Sequence, residues 1–370
     1  MTEPQGITYA SAGVDTAAGD RAVELMKAAV KRTHGPEVVG GFGGFAGLFD
    51  ASVLKAYRRP LLASSTDGVG TKVAIAQALD VHDTIGFDLV GMVVDDIVVC
   101  GAKPLLMTDY IACGRVVPER IAEIVRGIAA ACEVAGTALV GGETAEHPGL
   151  MDADEYDVAG AAVGVVEADA LLGPERVRAG DVVIAMASSG LHSNGFSLVR
   201  AVVDRAGWAW DRDVPEFGRT LGEELLTPTT VYAADCMVLA ADGAAAVHAF
   251  SHVTGGGLAS NLARVVPIGL RAAVERGSWT VPPVFDVVRS LGQVPWPDLE
   301  ATLNLGVGMV AIVGADGADR TRKILAQRGV TNWVLGTVVE DDGRSAANVV
   351  SGTKGVHGGA VELLGEYRTT

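Results

Sequence analysis

Asp67-Gly68-Val69-Gly70-Thr71-Lys72 gathers a carboxylate, two glycines, a hydroxyl and an ammonium into six residues. The apolar run Leu61-Leu62-Ala63 precedes it and Val73-Ala74-Ile75-Ala76 follows, so the turn is expected between a strand and a helix. Such a turn suits a phosphate and its cation. Gly68 and Gly70 let backbone N–H groups approach an anion, Thr71 and Lys72 add a hydroxyl and a charge, and Asp67 can hold a hard metal. The spacing is not that of a G-x-x-x-x-G-K-[ST] phosphate loop, and a solvated tight turn is the alternative these six residues leave open.

Further segments carry comparable chemistry. Leu89, Val93, Asp96 and Cys100 follow 4-3-4 spacing, which puts the Asp96 carboxylate on an apolar helical face. An unpaired charge there is costly, so a metal, a lysine or a substrate amine is expected to meet it, unless it caps a neighbouring loop. Leu139-Val140-Gly141-Gly142-Glu143 runs an apolar strand into glycines and a carboxylate, at the kind of strand end where α/β proteins bind ligands. Asp67, Asp96 and Glu143 then form a candidate oxygen set, better suited to Mg²⁺ than to zinc. In the second half, Ser188 to Gly195 and His252 to Leu258 both lead from a strand into a helix. His192, Thr254, Gly255 and Gly256 are their candidate anion-binding contributors. Gly43 and Gly44 lie in the glycine-rich loop 40–47, a nucleotide flap or a linker. Lys27 and Lys31 share one helical face.

The elements that must hold these residues read as two α/β units. Strands are expected at 61–66, 104–112, 137–141 and 157–166, with helices at 71–79, 86–100 and 118–135. Pro118 and Glu119 fit the first turn of the last of these. A boundary is expected near Leu171-Leu172-Gly173-Pro174-Glu175. Beyond it come strands near 181–187, 247–252, 308–313 and 333–339 and helices near 194–206, 228–240, 257–265 and 316–328. The expected division is 1–170, 171–345 and a tail at 346–370, in a two-domain α/β chain with α+β character.

With 370 residues and 49% hydrophobic content, the chain exceeds one ordinary core. The formal charge of −16 argues against a nucleic-acid partner. Up to residue 170 there are 12 Lys and Arg against 24 Asp and Glu, a net of −12, against 17 and 21, a net of −4, beyond. Four cysteines without C-x-x-C spacing point to reduced thiols rather than a zinc site. No segment reads as membrane-spanning and none as a secretory leader, so a cytoplasmic protein without membrane partners is expected.

Taken together these segments resemble the phosphoribosylformylglycinamidine cyclo-ligases, or aminoimidazole ribonucleotide synthetases. The resemblance runs from Tyr9-x-x-Ala12-Gly13-Val14-Asp15 to Asn304-Leu305-Gly306-Val307-Gly308-Met309. It is carried by Gly41-Phe42-Gly43-Gly44-Phe45, the Asp67–Lys72 turn, His82-Asp83-Thr84-Ile85-Gly86, Val140 to Glu146, His192 to Arg200 and Thr254-Gly255-Gly256-Gly257. Asp95 departs from it, because the family more usually has Asn there. The resemblance implies ATP-dependent ring closure of formylglycinamidine ribonucleotide, giving aminoimidazole ribonucleotide, ADP and phosphate in purine synthesis. It also implies Mg²⁺ on Asp67, Asp96 and Glu143, and ATP phosphates on Lys72, the surrounding turn and the other glycine-rich turns. His192, together with Lys27, is the implied substrate-contacting or proton-handling group. A homodimer whose first domains pair their sheets into a β-barrel, with the active-site cleft between domains and subunits, completes the expectation. The alternatives are another ATP-using member of the superfamily and a non-catalytic nucleotide-binding dimer. A dinucleotide-dependent dehydrogenase is disfavoured, since no G-x-G-x-x-G follows the first strand.

Overall fold

The computed structural model describes residues 13–41, 43–352 and 358–369. Tyr9, Ala12 and Phe42 of the motifs above lie outside them. The first unit opens with α1 (Thr16–Arg32), capped by the Asp15 side chain, which accepts from the Ala18 N–H. Its buried stripe of Ala22, Met26, Ala29 and Val30 lies against a later helix. Short strands β1 (Val38–Val39) and β2 (Leu48–Phe49) form a hairpin around the glycine-rich loop. Then follow β3 (Pro60–Gly68), α2 (Val73–Leu79), α3 (Ile85–Val98), β4 (Lys103–Cys113), α4 (Pro118–Ala135), β5 (Ala138–Glu146) and β6 (Tyr156–Glu167).

The sheet of this unit has the order β3-β6-β4-β5, with β4 and β5 parallel and the other pairs antiparallel. It is the mixed sheet expected for the first domain. Helices α3 and α4 pack on one face, and they approach so closely that a Cβ on Gly86 or Gly127 would strike backbone. The other face is bare: Leu62 and Tyr110 are 63% and 42% exposed there.

The second unit comprises β7 (Val182–Ala187), α5 (Phe196–Ala206), β8 (Asp213–Val214), β9 (Arg219–Thr220), α6 (Leu221–Leu225), α7 (Ala233–Ala241), β10 (Val247–His252) and α8 (Gly257–Leu262). It continues with β11 (Leu270–Glu275), α9 (Pro283–Gly292), α10 (Trp296–Glu300), β12 (Val307–Val313), α11 (Ala318–Gln327), β13 (Asn332–Glu340), β14 (Val349–Ser351) and β15 (Ala360–Leu364). Seven strands form one sheet in the order β10-β12-β7-β13-β11-β15-β14. The segment after 345, expected as a tail, therefore supplies two strands, and β15 runs parallel to β11. Arg271 on β11 locks this end of the sheet, its guanidinium bonded to Asp341, Asp342 and Glu362.

The two units share a buried seam in which α3 touches α7 and β10. The helix expected from 228 begins only at Ala233. The N–H groups of Thr229 and Tyr232 are instead bonded to Asp88 and Asp95 of α3, which ties this segment to α3 before the helix begins. Among the described residues no helix is long and apolar enough to cross a membrane, and the four cysteines are unpaired.

Candidate functional site

Two cavities flank the sheet of the first unit. The smaller, about 250 Å³, lies at the seam and is lined by Asp67, Gly68, Gly70, Met92, Asp157, Ser193 and Asn194, among others. Strand β3 delivers Asp67 to its carboxyl end, α3 carries Met92, and the loop from β7 to α5 supplies Ser193 and Asn194. That loop is tied across the seam by the Ser193 hydroxyl, which donates to Val69 O at 2.6 Å, and by the Thr71–Ser197 hydroxyl pair at 3.2 Å. Burial raises the Asp67 pKa against the opposing Gly68 N–H, and the nearby Asp96 charge adds to the rise. Beside it, Asp96 Oδ1 lies 2.9 Å from His252 Nδ1. Burial opposes protonation of that histidine, but the bond to Asp96 and the charges of Asp95, Asp96 and Asp67 outweigh it and raise its pKa. His252 Nε2 has no hydrogen-bond partner among the described residues.

The turn after His252 is braced from within. Asn261 Nδ2 donates to Thr254 O at 3.1 Å and Gly257 O at 2.8 Å. Gly256 adopts φ +100°, open to glycine, and a Cβ on Gly255 would press on Asn194 Oδ1 at 3.2 Å. Thr254, Gly255 and Gly256 thus face the same loop as the small cavity.

Three expectations require correction. Lys72 does not present its ammonium to a phosphate. It is fully buried, with Nζ 2.8 Å from Asp88 Oδ1, 3.0 Å from His192 O and 2.7 Å from Thr227 O, so all three N–H groups are committed. Burial lowers its pKa against the pull of Asp88. Of the adjacent pair on α3, the buried acid is Asp95, not Asp96. Asp95 is 0% exposed, accepts from Tyr232 N, and is pushed by burial up to about 7, whereas the Asp96 side chain is 41% exposed. The second unit covers the Asp95 flank of α3, which the periodicity of a lone helix cannot register.

Nor do Asp67, Asp96 and Glu143 converge within one chain. Asp67 pairs with Gly160, which pairs with Asp109, which pairs with Gly142, so Glu143 projects from the opposite face of the sheet. Three interstrand spacings, roughly 14 Å, also separate β3 from β5. Among the described residues no three His, Cys, Asp or Glu side chains are grouped to hold a metal.

His192 and Lys27 are also kept apart. His192 is 1% exposed with φ +61°, its Nε2 accepts from Ser189 N at 3.2 Å, and burial holds it neutral, far below its ordinary pKa. Lys27 stands on the exposed side of α1 with Glu24 as its ion-pair partner at 3.6 Å.

The larger cavity, about 590 Å³, is enclosed by α1, the glycine-rich loop and β5. Its lining includes Met26, Gly43, Gly44, Asp109, Leu139 and Glu143. Asp109 and His252 were not singled out from the sequence. For Asp109 a signal was there to read: Met107, Asp109 and Ile111 alternate along one strand, so a carboxylate occupies a core-facing position. For His252 the signal was its place at the end of an apolar strand, before a glycine turn.

Residues 49–166 match the family model described as AIR synthase related protein, N-terminal domain, and residues 178–347 match its C-terminal counterpart. The phosphoribosylformylglycinamidine cyclo-ligase of Geobacillus kaustophilus is 48% identical over 340 residues, covering 92% of this chain and 97% of that one. That of Anaeromyxobacter dehalogenans is 50% identical over 334 residues, 90% and 95% of the two chains. Among solved structures, thiamine-monophosphate kinase from Stenotrophomonas maltophilia superposes with TM-score 0.66 at 16% identity, over 92% of this chain and 96% of that one. The hydrogenase maturation protein HypE in complex with ATP gives 0.59 at 18% identity, over 89% of each. These last two establish a shared fold.

Proposed function

The chain belongs to the phosphoribosylformylglycinamidine cyclo-ligase family, and on that premise we propose how its two cavities divide the work of ring closure. The activity itself is ATP-dependent synthesis of aminoimidazole ribonucleotide in purine biosynthesis. A formamide oxygen is a poor leaving group. Transfer of the γ-phosphoryl group of ATP onto that oxygen releases ADP and leaves an iminophosphate. The amidine nitrogen then attacks the activated carbon, phosphate departs and a proton is lost as the ring closes. Such a reaction is accelerated chiefly by positioning and by neutralising phosphoryl charge.

The observation that carries the assignment is the small cavity at the seam, lined by Asp67, with the half-exposed Asp96 carboxylate near enough to act on Asp67. Two adjacent carboxylates of which one is raised by the other fit a hard divalent cation. Mg²⁺ held there by Asp67 and Asp96 would supply charge neutralisation for the phosphoryl group. His252 orients Asp96 through the 2.9 Å bond. Gly68 and Gly70 bring backbone N–H groups to the same place, with Thr71 at the seam. Lys72 and His192 act from behind, Lys72 by anchoring the His192 carbonyl and His192 by shaping the loop that presents Ser193 and Asn194.

ATP is proposed to enter beneath the glycine-rich loop, with Gly43 and Gly44 against its phosphates and Glu143 at the mouth. Asp109 in the larger cavity and Asp67 in the smaller lie in one row on one face of the sheet, two strand spacings or roughly 10 Å apart. A nucleoside triphosphate covers that length. The bare sheet face carrying Leu62 and Tyr110 supports a homodimer that pairs these sheets into a barrel. Light scattering at micromolar concentration is expected to give the dimer mass, and a monomer there would remove the barrel from this reading.

Turnover of purified protein with formylglycinamidine ribonucleotide, ATP and Mg²⁺ tests the assignment. Equal amounts of ADP and aminoimidazole product are expected, at a rate that collapses in Asp96→Asn. ATP binding without either product would favour a regulatory dimer.

A further inference from the structure

A carboxylate buried without a partner is costly, and protein interiors rarely contain one unless a ligand completes it. Asp109 is such a group. It is nine-tenths buried and forms no hydrogen bond or ion pair with any described residue, although it sits between the core residues Met107 and Ile111. It lines the 590 Å³ cavity, whose nearby walls are the apolar side chains of Met26, Val30, Val125 and Leu139. The chain makes room for it: a Cβ on Gly142, directly opposite on β5, would collide with the Asp109 carboxyl oxygens. An apolar wall with a polar group beside it receives a flat heteroaromatic ring and reads one edge of it.

We infer that Asp109 is a specificity residue for the nucleotide, its carboxyl accepting a hydrogen bond from the exocyclic amino group of adenine while the ring lies against the apolar wall. The inference rests on the reading that ATP enters beneath the glycine-rich loop and adds to it the group that recognises the base. Burial alone raises the Asp109 pKa to about 7, so near neutrality a share of the carboxyls also carries a proton for the adjacent ring nitrogen. A purine without the amino group leaves the carboxyl unmatched, and guanine turns an oxygen toward it.

The test compares ATP with purine riboside 5′-triphosphate, which lacks only that amino group, on the unaltered enzyme. KM for the analogue is expected to exceed that for ATP by at least about tenfold at similar kcat. In Asp109→Ala the two nucleotides should become equivalent, while Asp109→Asn, which keeps an acceptor and a donor, should restore the preference. KM for the amidine ribonucleotide should not move in any of the three proteins. Equal KM values for ATP and the analogue in the unaltered enzyme would overturn the inference. So would a rise confined to the ribonucleotide KM in Asp109→Ala, which would give the cavity to the other substrate. Should the protein bind ATP without turnover, the proposed function fails separately, and titration calorimetry of the same two nucleotides still decides the role of Asp109.

Discussion

Two clusters of charge sit within the seam between the units and have opposite characters. In one, Lys72, Asp88 and Thr229 are dry and bonded to one another: Asp88 Oδ1 accepts from Lys72 Nζ, Thr229 N and Thr229 Oγ1, while the enclosed Asp88 Oδ2 has no partner among the described residues. In the other, Asp67 edges a cavity, Asp96 stands near it bonded to His252, and no lysine or arginine among the described residues is paired with either. The first cluster directs all three Lys72 N–H groups inward, two of them to carbonyls of the second unit, and so holds the units together. The second retains capacity, and a ligand must complete it. A charged residue at a strand-to-helix turn is therefore classed by where its bonding groups are aimed, not by its type.

The most severe way to break this contrast is Lys72→Met. Removing one partner of a buried pair leaves Asp88 uncompensated, and a loss of about 3–5 kcal/mol in unfolding free energy is expected by urea denaturation. Asp88→Leu added to it should recover much of that loss, whereas a phosphate-binding lysine would show no such rescue. Next comes Asp95→Asn. Asp95 has a folded-state pKa near 7, raised by burial above the unfolded value, so its contribution to stability is complete below about pH 4 and is lost as pH rises through 7. The variant should remove that pH dependence and at pH 8 be more stable than the parent, by up to about 4 kcal/mol. A parallel decline in both proteins would contradict it.

Asp96→Asn tests the unsaturated cluster. Its melting temperature should stay near that of the parent, because the side chain is 41% exposed, while kcat/KM falls on the order of a hundredfold and the Mg²⁺ requirement rises. The smallest effect is expected of Thr229→Val, which deletes one donor to Asp88: about 1–2 kcal/mol in stability, with ATP KM unchanged. A shift in ATP KM would move the Lys72–Asp88 cluster into the site.

Much of the framework was legible before the structure. Period-2 and period-3.6 patterns located β3, β4, β6, β7, β12 and β13 to within a few residues, and Pro118 marked the start of α4. The glycine turns were found because their chemistry is local. Orientation was not. Leu89, Val93 and Asp96 do share a spacing, yet α3 is buried on nearly every side by the sheet, by α4 and by the second unit, so spacing alone cannot say which of two adjacent aspartates is covered. Lys72 was misjudged for the same reason, since its acceptors come from residues 88, 192 and 227. Strands β14 and β15 were missed because each is short and gains its identity only from pairing.

The pairing of β15 with β11 also bears on biosynthesis. The sheet of the first unit is closed by residue 167, from strands that follow one another within about a hundred positions, and can form while translation continues. The second unit must hold β11 with one edge open until residues 360–364 have left the ribosome. Arg271 waits equally for Asp341, Asp342 and Glu362. A premature stop a short way before that segment would spare every residue of both cavities and still release a protein with an unpaired inner strand, a substrate for chaperones and proteases rather than for ATP.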